Sequence, residues 1–324
     1  MEDIRVALAQ IECPVGNTRL SIEKHSRAAA QAAKAGARII CFPETSLSGY
    51  PTTDALPHEL AQPLEGELGQ AMAEVSAETG ILLLAGMVER DRSGVLYNTQ
   101  LIATPRGLIG GYRKTHIGNS EVHRFSHGDE LRVFNYEGVS FGILICYDNH
   151  FPEASRTLAL RGAEIIFCPY GSPGPCTEEG LAGKRSRWMR YLPARAFDNS
   201  VYVVVVNQVS PSRRAAAAES SGAASSLAST GRDTHVDLPE FPGGSMVLNP
   251  WGEMIAEPKP LAEDVLVVDL KRAALQEKRA DALQFFTHFR RPELYGELVS
   301  PSCARVSPAS NIQEQPVATR ASGG

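Results

Sequence analysis

The sequence predicts a layered α/β protein with largely buried sheets, built as two related halves. Short β-rich runs recur along the whole chain, and longer helical segments alternate with them, interrupted by hairpin-like pairs of strands. A short internal repeat adds the third observation. Gly36-Ala37-Arg38-Ile39-Ile40-Cys41-Phe42-Pro43-Glu44 aligns with Gly162-Ala163-Glu164-Ile165-Ile166-Phe167-Cys168-Pro169-Tyr170, each copy just after a helical segment.

A strand-like run begins almost at once, at Ile4–Ile11, and Arg19–Ala35 follows as a helix. Arg38–Phe42 is a short apolar run held between Gly36 and Pro43, so it reads as a buried strand. Glu67–Thr79 is helical and stops at Gly80, after which Ile81–Val88, Tyr97–Ala103 and Leu108–Tyr112 read as successive strands separated by Gly and Pro. Val139–Ile145 is the next strand, Pro152–Leu160 a helix, Glu164–Cys168 a strand and Lys184–Phe197 a helix. Val201–Val206 is an unbroken valine-rich strand, and Ser245–Leu248 and Val265–Leu270 complete the set. In both copies of the repeat the proline is expected to end the strand, which places Glu44 and Tyr170 at a C-terminal strand edge. Open α/β sheets hold their ligands at such edges.

Two stretches differ from the rest. Ser210–Leu238 carries four consecutive alanines, Ser/Ala/Gly repeats and almost no large apolar residue, so a flexible insertion is expected at about 210–238. The segment 299–324 is similarly rich in Ser, Pro and Ala and reads as a disordered tail, after an arm at 276–298 suited to dimer packing. The main domain is expected over 1–275.

Composition narrows the function. The 324 residues carry 32 Lys+Arg against 37 Asp+Glu, a net charge of −5, which removes the bulk electrostatic argument for nucleic acid or an anionic membrane. The longest apolar run, Val201 to Val206, is strand-sized and far short of a membrane span. Met1-Glu2-Asp3-Ile4-Arg5 shows no basic region followed by an apolar one, which points to the cytoplasm. Cys13, Cys41, Cys146, Cys168, Cys176 and Cys303 have no CxxC spacing, which suits reduced thiols.

One of those thiols stands out by position. In Phe141-Gly142-Ile143-Leu144-Ile145-Cys146-Tyr147-Asp148 a buried strand runs straight into Cys146, and a helix starts about six residues later. A nucleophile on such a turn is presented at the sheet rim with backbone N–H groups beside it; a small buried hydrophobe fits the same segment. A thiol needs a base or a cation to react at neutral pH. Glu44 and Lys114 each end a strand and can supply them, though a solvated acid and a surface lysine fit those places too. His116, His123, His127 and His150 allow a competing metal site, with His123 and His127 at helical spacing, but the intervening acid of an HExxH motif is missing.

Phe42-Pro43-Glu44, then Arg113-Lys114-Thr115-His116, then Cys146-Tyr147-Asp148 with Phe151-Pro152-Glu153, resembles the nitrilase or carbon–nitrogen hydrolase superfamily in order and separation. Gly243-Gly244-Ser245-Met246 and Asn249-Pro250-Trp251-Gly252 are similar to later strands of that family, whereas the insertion at Ser210–Leu238 departs from it. The resemblance implies a four-layer αββα sandwich that associates into a homodimer or larger homo-oligomer. It also implies Glu44 as general base, Lys114 as the cation at the tetrahedral intermediate and Cys146 as nucleophile. Glu121, seven residues before Gly128, corresponds to the family's second glutamate. The reaction implied is hydrolysis of a carboxamide or N-carbamoyl compound through a cysteine thioester, without metal or organic cofactor. Cys-x-Asp followed by Pro-Glu resembles amidases and carbamoyl-amide hydrolases rather than the Cys-Trp-Glu of nitrile-cleaving members. Tyr147, Asn149 and Tyr170 are the expected substrate-binding residues, the Asn149 amide pairing with the substrate and the rings forming a wall with Trp188. A nitrilase, a catalytically silent scaffold and a thiol-redox protein are the alternatives, the last weakened by the lack of a resolving cysteine near Cys146.

Overall fold

The computed structural model describes residues 1–51, 55–118, 121–210 and 239–300. Two compact units are separable, Met1–Thr287 and a C-terminal unit from His288 onward. Of the insertion expected at about 210–238, residues 211–238 lie outside the described residues, as do residues 301–324 of the tail expected at 299–324.

The first unit holds two six-stranded sheets. The first is assembled from β1 (Ile4–Gln10), β2 (Ile39–Cys41), β3 (Leu82–Arg90), β4 (Leu96–Thr104), β5 (Gly107–Arg113) and β12 (Asp264–Leu270), in the order β12-β1-β2-β3-β4-β5. The second uses β6 (Val133–Tyr136), β7 (Val139–Ile143), β8 (Ile165–Tyr170), β9 (Tyr202–Asn207), β10 (Met246–Leu248) and β11 (Met254–Ala256), in the order β11-β10-β9-β8-β7-β6. In each sheet three parallel strands, β1-β2-β3 and β7-β8-β9, are flanked by antiparallel ones. The repeat strands β2 and β8 therefore occupy equivalent central places.

Alternation along the strands builds the layers. Val6, Leu8, Ile39, Cys41, Leu82 and Leu84 of the first sheet meet Phe141, Ile143, Ile165, Phe167, Val204 and Val206 of the second in one core. The alternate residues face helices. Ala7, Ile40, Leu83 and Ala85 pack on α1 (Thr18–Lys34) and α3 (Glu67–Thr79), with the short α2 (Leu56–Leu60) preceding α3. Ile166, Cys168, Val203 and Val205 pack on α4 (Pro152–Leu160), α5 (Glu178–Trp188) and α6 (Leu192–Phe197). The order helix, sheet, sheet, helix is the four-layer αββα sandwich. Each large apolar side chain buried this way contributes about 1.5–3 kcal/mol.

Several elements differ from the sequence reading. The segment Lys184–Phe197 is two helices, because Pro193 has no N–H to continue α5 and instead sits in the first turn of α6. Strand β6 pairs with β7 through Glu137-Gly138, both at positive φ (48° and 78°), a type I′ turn built without the usual Asn-Gly signal. The helix α7 (Arg272–Ala280) follows β12. Pro43 does end β2, but β8 runs through Pro169 to Tyr170. Phe167 accepts its bond from Leu144 of the β7 side, so Pro169, two residues on, turns its missing N–H toward the side that β7 has already left. The C-terminal unit contains the tight turns Pro292–Leu294 and Gly296–Val299. Among the described residues no helix is long and apolar enough to cross a membrane.

Candidate active site

The segments that follow the C-terminal ends of β2, β5 and β7 deliver three side chains to one place. After Pro43 the chain folds tightly over β3: Gly86 accepts from Leu47 N–H at 2.8 Å and donates to Ser46 Oγ at 3.2 Å. A Cβ on Gly86 would lie 2.2 Å from the Thr45 nitrogen, so only glycine lets this turn settle there and fix Glu44. Lys114 is held as a continuation of β5, its N–H on the Asn98 carbonyl at 2.9 Å and its own carbonyl accepting from Gly128 at 2.8 Å. Cys146 begins a 3₁₀ turn, Cys146–His150, with φ of +43°.

Lys114 Nζ donates to Glu44 Oε1 at 2.8 Å and to Glu121 Oε2 at 2.6 Å, and all three residues are buried. The structure thus brings Glu44, Lys114 and Glu121 into direct contact, across 70 and seven residues of sequence respectively. Burial raises the Glu44 carboxyl above its ordinary range against the pull of Lys114, with Glu121 adding to the rise. Burial works against the Lys114 charge, but Glu44, Cys146 and Glu121 around it outweigh that and hold the ammonium well above its ordinary value. The half-buried Cys146 thiol is pushed well up, by desolvation and then by Glu44. The cluster therefore offers a protonated thiol, a carboxylate with raised proton affinity and a permanent cation.

Three partners of this cluster were not among the sequence candidates. Asn98 Nδ2 donates to Glu44 Oε1 at 2.8 Å and reaches Glu121 Oε1 at 3.5 Å. Tyr50 donates its hydroxyl to Glu121 Oε1 at 3.1 Å, and the Gly171 N–H donates to Glu44 Oε2 at 2.6 Å. The polar run Tyr97-Asn98-Thr99-Gln100 inside a strand was the available signal for Asn98, since buried polar groups need partners. Gly171 carries no comparable signal.

The expected substrate-binding residues are placed differently from one another. Tyr147 is 40% exposed beside the nucleophile turn, its ring packing edge-on to Phe151. Asn149, expected to pair with a substrate amide, is buried, and its Nδ2 is engaged by the Leu144 and Cys146 carbonyls while its Oδ1 accepts from Cys168. Its polar atoms hold the turn. Tyr170 is buried against Trp188, with its hydroxyl 3.3 Å from that of Tyr191, so its ring belongs to the helix-facing core rather than to an open wall.

His123 and His127 do not lie on a helix; residues 121–124 form a turn and 125–130 are irregular, so their spacing does not align them. His127 Nδ1 contacts the Thr115 carbonyl at 2.9 Å. Among the described residues no group of three or more His, Cys, Asp or Glu side chains is arranged to hold a metal. Cys13, Cys41, Cys146, Cys168 and Cys176 are all free.

The sequence matches the carbon–nitrogen hydrolase family over residues 5–280, and the chain belongs to that family. Similar proteins include a nitrilase of Pyrococcus abyssi, 30% identical over 295 residues, covering 90% of this chain and 99% of the relative. An (R)-stereoselective amidase of Pseudomonas sp is 31% identical over 254 residues, covering 78% and 80%. In fold, the chain is similar to a nitrilase-superfamily protein of Saccharomyces cerevisiae (TM-score 0.70, 24% identity, 87% and 94% covered). An amidase of Nesterenkonia sp. AN1 is likewise similar (TM-score 0.67, 24% identity, 91% and 100% covered). The protein is a carbon–nitrogen hydrolase.

Proposed function

We propose that the protein hydrolyses a carboxamide or an N-carbamoyl compound through a thioester on Cys146. The observation that carries this reading is the buried Lys114 ammonium held between Glu44 and Glu121 beside the Cys146 thiol.

Because the thiol is pushed up by its surroundings, a base must act with it. Glu44, whose proton affinity is raised by burial, takes the Sγ proton as sulfur attacks the carbonyl carbon. The developing oxyanion is stabilised by Lys114 Nζ and the Tyr147 backbone N–H. Collapse breaks the C–N bond, and the nitrogen leaves as ammonia or an amine with the proton from Glu44. Water, deprotonated by the same carboxylate, then attacks the thioester, and the sulfur leaves with that proton. Glu121 touches Lys114 on its other side and keeps the ammonium oriented. With Asn149 engaged in its own turn, pairing to the substrate amide falls to Glu44 and the Tyr147 backbone.

Nitrile hydrolysis is the second reading, favoured by the similarity to the Pyrococcus nitrilase, since the same thiol adds to a nitrile carbon. An ammonia-release assay on an amide, its N-carbamoyl analogue and its matched nitrile decides between them. The amide reading expects the nitrile to be slower by at least about tenfold, or about 1.4 kcal/mol. Faster release from the nitrile overturns it. Cys146→Ala abolishes turnover and the acyl adduct seen by intact mass while the protein remains folded; near-normal hydrolysis by that variant ends the thioester mechanism. A cytoplasmic homo-oligomer is the accompanying expectation, checked by sedimentation of the full chain.

A further inference from the structure

Nothing in the proposed reaction uses Asp148, a completely buried carboxylate two positions after Cys146. Its Oδ2 accepts from the Tyr112 hydroxyl at 2.8 Å and the Ile145 backbone N–H at 2.9 Å. Its Oδ1 accepts from the Thr115 hydroxyl at 2.9 Å, the His116 backbone N–H at 2.7 Å and His116 Nδ1 at 2.9 Å. A carboxylate has no hydrogen to give, so the imidazole carries its hydrogen on Nδ1. Burial and the Asp148 charge hold the Tyr112 hydroxyl well above its ordinary range, so it remains a donor across working pH.

The donors fall into two groups. Tyr112, Thr115 and His116 lie on either side of Lys114, at the end of β5 in the first sheet. Ile145, with Asp148 itself, brackets Cys146 at the end of β7 in the second sheet. One side chain thus ties the segment bearing the ammonium to the turn bearing the thiol, across the junction between sheets. The turn needs such a tie. Cys146 has φ of +43°, a left-handed conformation that a residue with a side chain holds only when its surroundings impose it. The Ile145 N–H to Asp148 Oδ2 bond and the Asp148 N–H to Ile145 carbonyl bond at 3.0 Å close that turn from both directions. His116 stacks on Phe151 with ring centroids 4.0 Å apart, which fixes the outer end of the same array.

We propose that Asp148 is the positioning residue that sets the Cys146 thiol relative to the Lys114 ammonium, by gathering the neighbours of both onto one carboxylate. This rests on the assignment of Cys146 and Lys114 above. With both oxygens engaged by protein donors, Asp148 acts through these neighbours and not on substrate.

Asp148→Asn keeps the size but turns one acceptor into a donor facing donors. The expected result is a fall in kcat/KM of about 10²-fold, carried by kcat with KM little changed, as for reacting groups misplaced by about 1 Å. Alkylation of Cys146 by iodoacetamide slows by about tenfold, and its pH profile shifts because the thiol has lost its fixed relation to the cation. Tyr112→Phe and Thr115→Val each remove one donor while leaving the carboxylate, and give smaller falls, about three- to tenfold in kcat, in proteins close to native stability. Combined with Lys114→Met, Asp148→Asn adds no further loss, since no ammonium is left to position. Wild-type kcat and alkylation profile in the Asp148 and Tyr112 variants, with only the melting temperature lowered, overturns the proposal. So does a double variant whose losses multiply. If Lys114→Met alone turns over normally, the catalytic assignment fails and the proposal falls with it, a pattern distinct from inactive Lys114→Met beside active Asp148→Asn.

Discussion

Adding one methyl group at Gly171 perturbs the site at a crowded point. Gly171 follows β8, and its N–H holds Glu44 Oε2 at 2.6 Å. A Cβ there would lie 2.6 Å and 3.0 Å from two ring carbons of Tyr50 and 3.1 Å from Glu44 Oε2. Gly171 is not among the residues at positive φ, so alanine introduces no backbone strain and the perturbation is steric. Ordinary contact begins near 3.4 Å, so the ring must withdraw by roughly 0.8 Å, and overpacking of this kind costs about 1–3 kcal/mol. The Tyr50 hydroxyl, now 3.1 Å from Glu121 Oε1, then leaves hydrogen-bonding range, while Glu44 is pressed from the other side. A misplacement of this size predicts a fall in kcat/KM of about 10²-fold. Steady-state ammonia release and thermal unfolding are measured together. Gly183→Ala is the control, because its Cβ meets nothing within 4 Å inside α5; it gains about 0.5–1 kcal/mol of stability and leaves kcat/KM unchanged. If Gly171→Ala retains kcat/KM within about twofold, contacts of this size do not govern the placement of Glu44 and Tyr50, and the account of the site's rigidity is wrong.

Glu121→Gln keeps the shape but halves the negative charge around Lys114; kcat is expected to fall by about 10²–10³-fold with only a small change in melting temperature, and an unaffected rate removes Glu121 from the machinery. His25 is buried between the Ser21 carbonyl and Ser46 Oγ, and burial lowers its pKa to about 4. The unfolded chain takes up a proton near pH 6.5 that the native state refuses, so stability is complete above that pH and falls by up to about 3 kcal/mol as pH drops to 4; urea midpoints at pH 7 and 5 should converge in His25→Gln, and an unchanged pH slope refutes the assignment. Dialysis against EDTA leaves activity intact; loss restored by zinc would reinstate a metal mechanism.

The layers of the fold were legible because burial on both faces leaves strands as continuous apolar runs, as in Val201–Val206, and because helices between them end at Gly36, Gly80 and Gly162. What escaped depended on context. The 3₁₀ turn at Cys146–His150 and the hairpin at Glu137-Gly138 place residues with side chains at positive φ, a cost that local sequence argues against and tertiary bonds absorb. Pro169 shows the same dependence: a proline breaks a strand only where a neighbour needs its N–H, and whether β7 extends that far is decided elsewhere in the chain.

The site divides along the same line. Glu44, Lys114 and Cys146 could be found because each lies one to three residues past the end of a strand, a position that local pattern reveals. Glu121 has no strand to mark it and was reached through resemblance alone. Asn98, Tyr50 and Gly171 were missed because their roles consist of bonds to residues 23 to 127 positions away, which no local spacing encodes. Asp148 lies between these cases. Its place two residues after the nucleophile is visible in sequence and reads as a mark of substrate class; its five hydrogen bonds, four of them from residues around Lys114, are what the fold adds. If the carboxylate serves to tie thiol to ammonium, the acid after the nucleophile is selected by the geometry of the turn and not by the substrate. Substrate preference then has to be sought in the side chains that reach open space beside Cys146, of which Tyr147 is one.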